Sequence, residues 1–288
     1  MTNPLRWLFR IVLALVAAAS VSACVTSPTG RTQLLIVPPE LAIVESARAY
    51  AATVRELGDD DKLLDDPRLA GRVQAITGRV VAAAVSRYPH TANWRWSVAL
   101  IDEPTVVNAW CMAGGRMAIY SGLVERLALS DDEFAHIMGH EIAHAVANHT
   151  AERMSVALLT QAGLIAAARA VDRDDGEVLT AAAVAAQLAV TLPNSRVSEA
   201  EADQMGIEFA IRAGYEPYAA VSLWRKMEAE GGARMPEFLS SHPSPANRRE
   251  ALSALAGDLG HLRPSTRPAA HAVEVISGGA RARSRAGR

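Results

Sequence analysis

The chain has 288 residues, half of them hydrophobic but only 5% aromatic, and carries a formal net charge of −2. That length and apolar share suffice for one sizeable core or two small ones, whereas the near-neutral balance gives no overall pull toward nucleic acid, and two cysteines exclude a disulfide framework. Abundant alanine with scarce aromatics suits helices packed through small side chains better than a β-sandwich, so the expected fold class is mainly α with a small β-sheet, that is α+β.

In chain order, Arg6 and Arg10 precede an apolar stretch over residues 11–19, too short for a comfortable membrane span, which runs into Val21-Ser22-Ala23-Cys24. This resembles a bacterial lipoprotein export signal. The resemblance implies removal of a signal peptide over residues 1–23, lipidation of Cys24, and the periplasmic face of the cell envelope. Val25, in place of an aspartate, favours the outer over the inner membrane. An uncleaved anchor would export the domain equally. Residues 24–38 contain a Ser/Thr/Pro/Gly-rich stretch suited to a tether, with the folded domain expected over 39–262.

Apolar positions recur at helical spacing over 41–57 and 67–88, the second helix starting at Asp65, Asp66 and Pro67. Residues 94–101 alternate as a strand and 116–120 fit another, with Gly114-Gly115 turning the chain between them. Ser130 followed by Asp131, Asp132 and Glu133 is a helix start, with a cap residue and acidic first turn. Residues 155–190 read as an apolar helical hairpin broken at 172–177, whose arms are too interrupted to cross a bilayer. Further helices are expected over 195–213, from Pro217 and from Pro245. The stretch 263–288 lacks apolar periodicity and reads as a disordered basic tail.

His140-Glu141-Ile142-Ala143-His144 puts two imidazoles one helical turn apart on one face, where they can grip one metal ion together. Neutral imidazole suits zinc, and Glu141 stands beside the pair to take a proton from an attacking water. Apolar Phe134, Ile137, Ile142 and Val146 with small Gly139 and Ala143 indicate a buried helix rather than a solvated one. A catalytic zinc wants three protein ligands and an open position. Candidates for the third lie on a later helix, where Glu199 and Asp203 are four apart and share a face while Glu201 points away. Glu199 can ligate while Asp203 orients a ligand histidine.

Residues 108–248 resemble the HtpX-like zinc metallopeptidase family, which also contains CAAX prenyl endopeptidases and periplasmic peptidases acting in outer-membrane protein assembly. Asn108 to Gly115 match the stretch before its active-site helix, with Ala113 where the family has a proline. His140, Glu141 and His144 match its zinc motif, Glu199 and Asp203 its Glu-x-x-x-Asp element, and His149, Glu152 and Arg153 the run that follows the zinc motif. His242-Pro243 and Arg248 match a later His-Pro element. The resemblance implies a zincin-like domain binding one Zn2+ through His140, His144 and Glu199, with Glu141 as general base and protein or peptide substrates. Misfolded or stalled envelope proteins, and contact with envelope assembly machinery, are the implied setting.

His242 has three readings: a fourth ligand that plugs the site, a transition-state stabiliser, or a packing histidine. For His136, one turn before His140, a supporting or solvated role is preferred to ligation. Cys111 is expected to be a packed side chain. An extended substrate is expected to add along residues 116–120 as an edge strand. Two rivals stand beside the zinc endopeptidase: an envelope chaperone with latent proteolysis, and a lipoprotein scaffold with structural zinc.

Overall fold

The computed structural model describes residues 24–170, 195–230, 237–243 and 247–278, so the expected signal peptide and the second arm of the hairpin lie outside the described residues. The chain falls into two compact units, one of residues 1–42 with 150–192 and the other of 43–149 with 193–288.

In the smaller unit, strands β1 (Cys24–Thr26) and β2 (Thr32–Leu34) pair antiparallel. The stretch expected as a plain tether is therefore a hairpin. Its turn is closed by the Ser27 N–H donating to the Arg31 carbonyl at 2.9 Å, with Gly30 at φ 93°, where a side chain would be strained. Beyond the turn, Arg31 grips Glu152 with two nitrogens at 2.8 and 2.6 Å, and Gln33 donates to the same carboxylate at 3.0 Å. Side-chain anchoring supplies what the Ser/Thr/Pro/Gly composition lacks.

The larger unit holds a four-stranded sheet and most of the helices. Helices α1 (Pro39–Asp59) and α2 (Pro67–Arg87) precede β3 (Ser97–Ile101), β4 (Ala109–Met112) and β5 (Arg116–Tyr120). After a short α3 (Ser121–Arg126) come α4 (Asp131–Val146), then α5 (His149–Ala170), which belongs to the smaller unit from residue 150 on, and, back in the larger unit, α6 (Arg196–Arg212), α7 (Ala219–Glu230), α8 (Glu237–Ser241), α9 (Arg248–Leu259) and β6 (Glu274–Ile276). The starts follow local chemistry. Asp66 accepts from the Arg68 and Leu69 N–H groups with Pro67 at the first helical position, and Ser130 and Glu133 form a reciprocal capping box on α4. Ala113 does not prevent the β4–β5 turn, because Gly114 (φ 79°) and Gly115 (φ 76°) supply the left-handed backbone.

The sheet order is β4-β5-β3-β6, with β3 parallel to β5 and β6 and β4 antiparallel to β5. Two expectations change here. Residues 116–120 are interior, because the chain folds back through the Gly114-Gly115 turn and leaves β4 outside; the edge near the metal-motif helix is β4. Part of the stretch expected as a tail is built into the fold: residues 274–276 pair with β3, Val273 is buried, and the His271 N–H donates to the Gly78 carbonyl at 2.8 Å, while residues 279–288 lie outside the described residues. Val273, Val275 and Ile276 are enough apolar surface for this purpose because the sheet already offers an unpaired edge.

One sheet face packs against α2, α4 and α6 through Val80, Val98, Met117, Ile119, Phe134 and Ile142, among others. The opposite face is covered by residues 43–59 of α1, where Tyr50 sits on Ala99, Ile101 and Ala118 and donates its hydroxyl to the Met117 carbonyl at 3.0 Å. Among the described residues no helix is long and apolar enough to cross a membrane.

Candidate metal centre

Helix α4 carries His140, Glu141 and His144 in its buried stretch, and α6 crosses it so that Glu199 faces the two imidazoles. The crossing is tight because both helices present glycine. A Cβ on Gly139 would stand 2.4 Å from the Gly206 carbonyl oxygen, and one on Gly206 would stand 2.6 Å from the His140 nitrogen. Neither obstruction is a flexible side-chain end, so relief requires separating the helices. Gly206→Ala is therefore expected to destabilise by about 1–3 kcal/mol, outweighing alanine's better helix propensity. It should also reduce bound metal. Thermal unfolding and metal content check this; an unchanged melting temperature with full metal would contradict it.

The Nε2 atoms of His140 and His144 are 3.0 Å apart, and each is 3.3 Å from a different oxygen of Glu199. His242 joins them: one ligand atom from each of His140, His144, Glu199 and His242 lies within 4.8 Å of the others, all buried. A proton shared between the two nitrogens, or one cation bound by both and by the carboxylate, accounts for so close an approach. A tetrahedral ion with legs of about 2.0–2.1 Å needs ligand atoms roughly 3.3 Å apart, so the donor set fits a metal of this size. In addition, Glu199 Oε1 is buried without a hydrogen bond, which leaves a lone pair for a cation.

Each ligand is oriented from behind. His140 Nδ1 is 3.0 Å from Asp203 Oδ1, so its N–H donates to that carboxylate and Nε2 keeps its lone pair. Burial alone would lower the His140 pKa, but Glu199 and Asp203 outweigh it and lift it to about 9. A bound cation would displace that proton. Against the upward push of burial, His144 and His140 hold the Glu199 carboxyl far below the ordinary range. Arg248 donates to Asp203 at 2.6 Å, lies 3.5 Å from Glu199, and has its guanidinium 3.7 Å above the Trp224 ring. It offsets part of the local negative charge.

His242 Nδ1 donates to the Phe238 carbonyl at 3.0 Å, and its Nε2 is 3.4 Å from Glu141 Oε1. Burial pushes its pKa down to about 3, leaving a neutral ring with a free lone pair on the side of the ligand cluster. Glu141 is 1% exposed and lies outside the four-residue ligand group.

A family model, described as Peptidase family M48, matches residues 67–256. The chain belongs to peptidase family M48. Among curated relatives, the mitochondrial metalloendopeptidase OMA1 of Bos taurus is 32% identical over 241 residues, covering 80% of this chain and 45% of that one. OMA1 of Arabidopsis thaliana is 34% identical over 164 residues, 57% of this chain and 32% of the relative. The beta-barrel assembly-enhancing protease of Escherichia coli (strain K12) is 29% identical over 213 residues, 68% of this chain and 40% of that one. The chain thus spans less than half the length of these relatives.

Within this M48 domain the sequence-predicted residues His140, Glu141, His144, Glu199, Asp203 and His242 come together, and Arg248 joins them. His136 does not. It is buried rather than solvated, and its Nε2 donates to the Glu216 carbonyl at 2.8 Å. Cys111 is buried, as expected.

Glu201 is the residue whose role sequence reasoning missed. His144 Nδ1 is 2.7 Å from His149 Nδ1, and His149 Nε2 is 3.0 Å from Glu201 Oε2. With His144 Nε2 turned to the cluster, its Nδ1–H donates to His149, whose Nε2–H donates to Glu201. Both ligand histidines therefore end on a carboxylate of α6, one directly and one through an imidazole. The signal available was Asn148: at φ 58° it ends α4 in the left-handed conformation that asparagine tolerates, turning His149 back toward His144.

Proposed function

We propose that this chain is a zinc-dependent endopeptidase. The observation that carries the reading is the buried set His140, His144 and Glu199 with a carboxylate, Glu141, beside it that is not one of the grouped ligands. Zinc, when bound, supplies Lewis acidity for the scissile carbonyl. Glu141 then accepts the proton of the attacking water and delivers it to the leaving amine. Asp203 and the His149–Glu201 pair keep the two ligand imidazoles in the required tautomers. The exposed edge of β4, rather than β5, is the strand on which an extended substrate can form main-chain hydrogen bonds.

His242 is read as a resting fourth ligand. Its lone pair faces the cluster, which supports the plug over oxyanion stabilisation or plain packing. Cleavage of casein is therefore expected to be abolished by a chelator and restored by zinc, with His242→Ala raising the basal rate severalfold at unchanged zinc content. Chelator-insensitive cleavage would remove the metal reading. A fall in rate with zinc retained would turn His242 into a catalytic helper.

The family membership and the similarity to a beta-barrel assembly-enhancing protease favour protein substrates in the cell envelope, such as misfolded or stalled proteins, and contact with assembly machinery there. The HtpX-like and lipoprotein placing, the periplasmic setting and the outer-membrane anchor rest on the motifs, above all Val21-Ser22-Ala23-Cys24. Metabolic labelling with a palmitate analogue is expected to mark the wild type and not Cys24→Ala. Equal labelling of both would refute the anchor.

A further inference from the structure

We propose that a side-chain pocket beside the metal centre selects a large apolar residue of the substrate, and that Phe238 closes this pocket as the chain's own stand-in for that residue. The proposal rests on the endopeptidase reading and adds its specificity.

A cavity opens next to His140 between α4, α6 and α7, with an apolar wall formed by Ile137, Ile207, Ala220, Leu223 and Met227. Its charged lining is paired, since Arg248 donates to Asp203; His136 donates from Nε2 to the Glu216 carbonyl, while His136 Nδ1 and Arg248 Nε are buried without a hydrogen bond. No charged group is left over to attract an ionic side chain. Phe238 stands over this space at 2% exposure, with its ring centroid 6.0 Å from that of His140 and 6.3 Å from that of Trp224.

Phe238 is buried with the core, and its attachments tie it both to the edge strand and to His242. Its N–H donates to the Val107 carbonyl at 3.0 Å, on the lead-in to the edge strand β4, and Asn108 Nδ2 donates to Glu237 at 3.4 Å. Its ring stacks on His242 at 4.2 Å and 18°, and the His242 Nδ1–H donates to the Phe238 carbonyl. The two rings are thus coupled through a stack and a one-turn hydrogen bond. One aims at the metal ligands and the other covers the apolar cavity. Because residues 237–241 are helical, the segment imitates a substrate at these two points and not along its backbone. Displacing His242 would withdraw Phe238 with it and open a pocket large enough for an aromatic ring directly beside the reacting centre.

The test compares two metal-directed peptide hydroxamates, identical except for a benzyl or a methyl side chain, by calorimetry on the zinc-loaded full chain. In Phe238→Ala/His242→Ala the benzyl probe is expected to bind about 10- to 100-fold tighter than the methyl probe, the factor that burial of a full aromatic side chain supplies. Restoring Phe238, in His242→Ala alone, should weaken the benzyl probe and leave the methyl probe nearly unchanged. Adding Ala220→Leu, which narrows the cavity, should bring the ratio toward one. The unfilled pocket also gives a ratio without that variant, so a folding defect there does not remove the test. Cleavage sites in an unfolded protein should show large apolar residues next to the scissile bond in the double variant. Equal affinities for the two probes, or cleavage without apolar preference, would overturn the pocket. An identical effect of Phe238 on both probes would overturn its role as occupant. If the endopeptidase reading itself fails, the zinc-loaded double variant shows neither chelator-sensitive cleavage nor binding of either probe, which is a different pattern.

Discussion

Glu141→Gln is expected to lower peptide cleavage by about three orders of magnitude, within the range that a positioned proton acceptor contributes, while leaving the metal bound. Glu141 is 1% exposed on α4, one residue after His140, and its Oε1 lies 3.4 Å from His242 Nε2. It therefore faces the same space as the ligand atoms without being one of the four grouped around that space. Glutamine keeps the shape and the helix propensity and removes only the ability to take a proton from water and hand it to the leaving amine. A change in metal content would mean that the carboxylate helps to hold the ion. Metal analysis beside initial rates on an unfolded protein separates the two, and equal rates in both proteins would remove Glu141 from the mechanism. The envelope chaperone reading makes a different prediction, because binding of unfolded protein would survive this substitution along with its cellular effect.

The candidate ligands His140, His144 and Glu199 were legible because each lies in a regular helix, where spacing alone places side chains on a face. The Ser130 capping box fixed where α4 begins, and four residues separate His140 from His144 and Glu199 from Asp203. The same logic left Glu201 without a role. Spacing correctly turned it away from Glu199, but helix periodicity says nothing about what packs on the opposite face, and there His149 waits beyond the left-handed Asn148. Sheet order was illegible for a related reason. Alternation identified β3 and residues 116–120 fitted a second strand, yet the strand that completes the far edge, β6, is three residues at 274–276, contributed by a stretch rich in arginine and proline far along the chain. So short a strand carries no period of its own. Glycines at 139 and 206 likewise look like weak points of their helices until the crossing that requires them is seen.

The arrangement behind His144 also gives the second carboxylate of α6, Glu201, a part in metal binding. Glu199→Ala removes a proposed ligand and is expected to cost the most metal affinity. Glu201→Ala should cost less but still roughly 10- to 100-fold, the usual consequence of removing a partner that orients a metal-binding histidine. The physical cause is specific. Glu201 is 3% exposed and accepts from His149 Nε2, which leaves His149 Nδ1 as the acceptor for the Nδ1–H of His144. Without the carboxylate, His149 is free to place its proton on Nδ1. The 2.7 Å contact would then set two N–H groups against each other, and His144 would have to rotate or change tautomer, turning its lone pair away from the ion. Glu201→Gln offers an oxygen of the same reach and should recover much of the loss. Competition against a chromogenic zinc chelator measures all three variants on one scale. The order Glu199→Ala weakest, Glu201→Ala intermediate and Glu201→Gln close to wild type supports the relay. Equal affinity for Glu201→Ala and wild type would show that His144 holds its orientation without it.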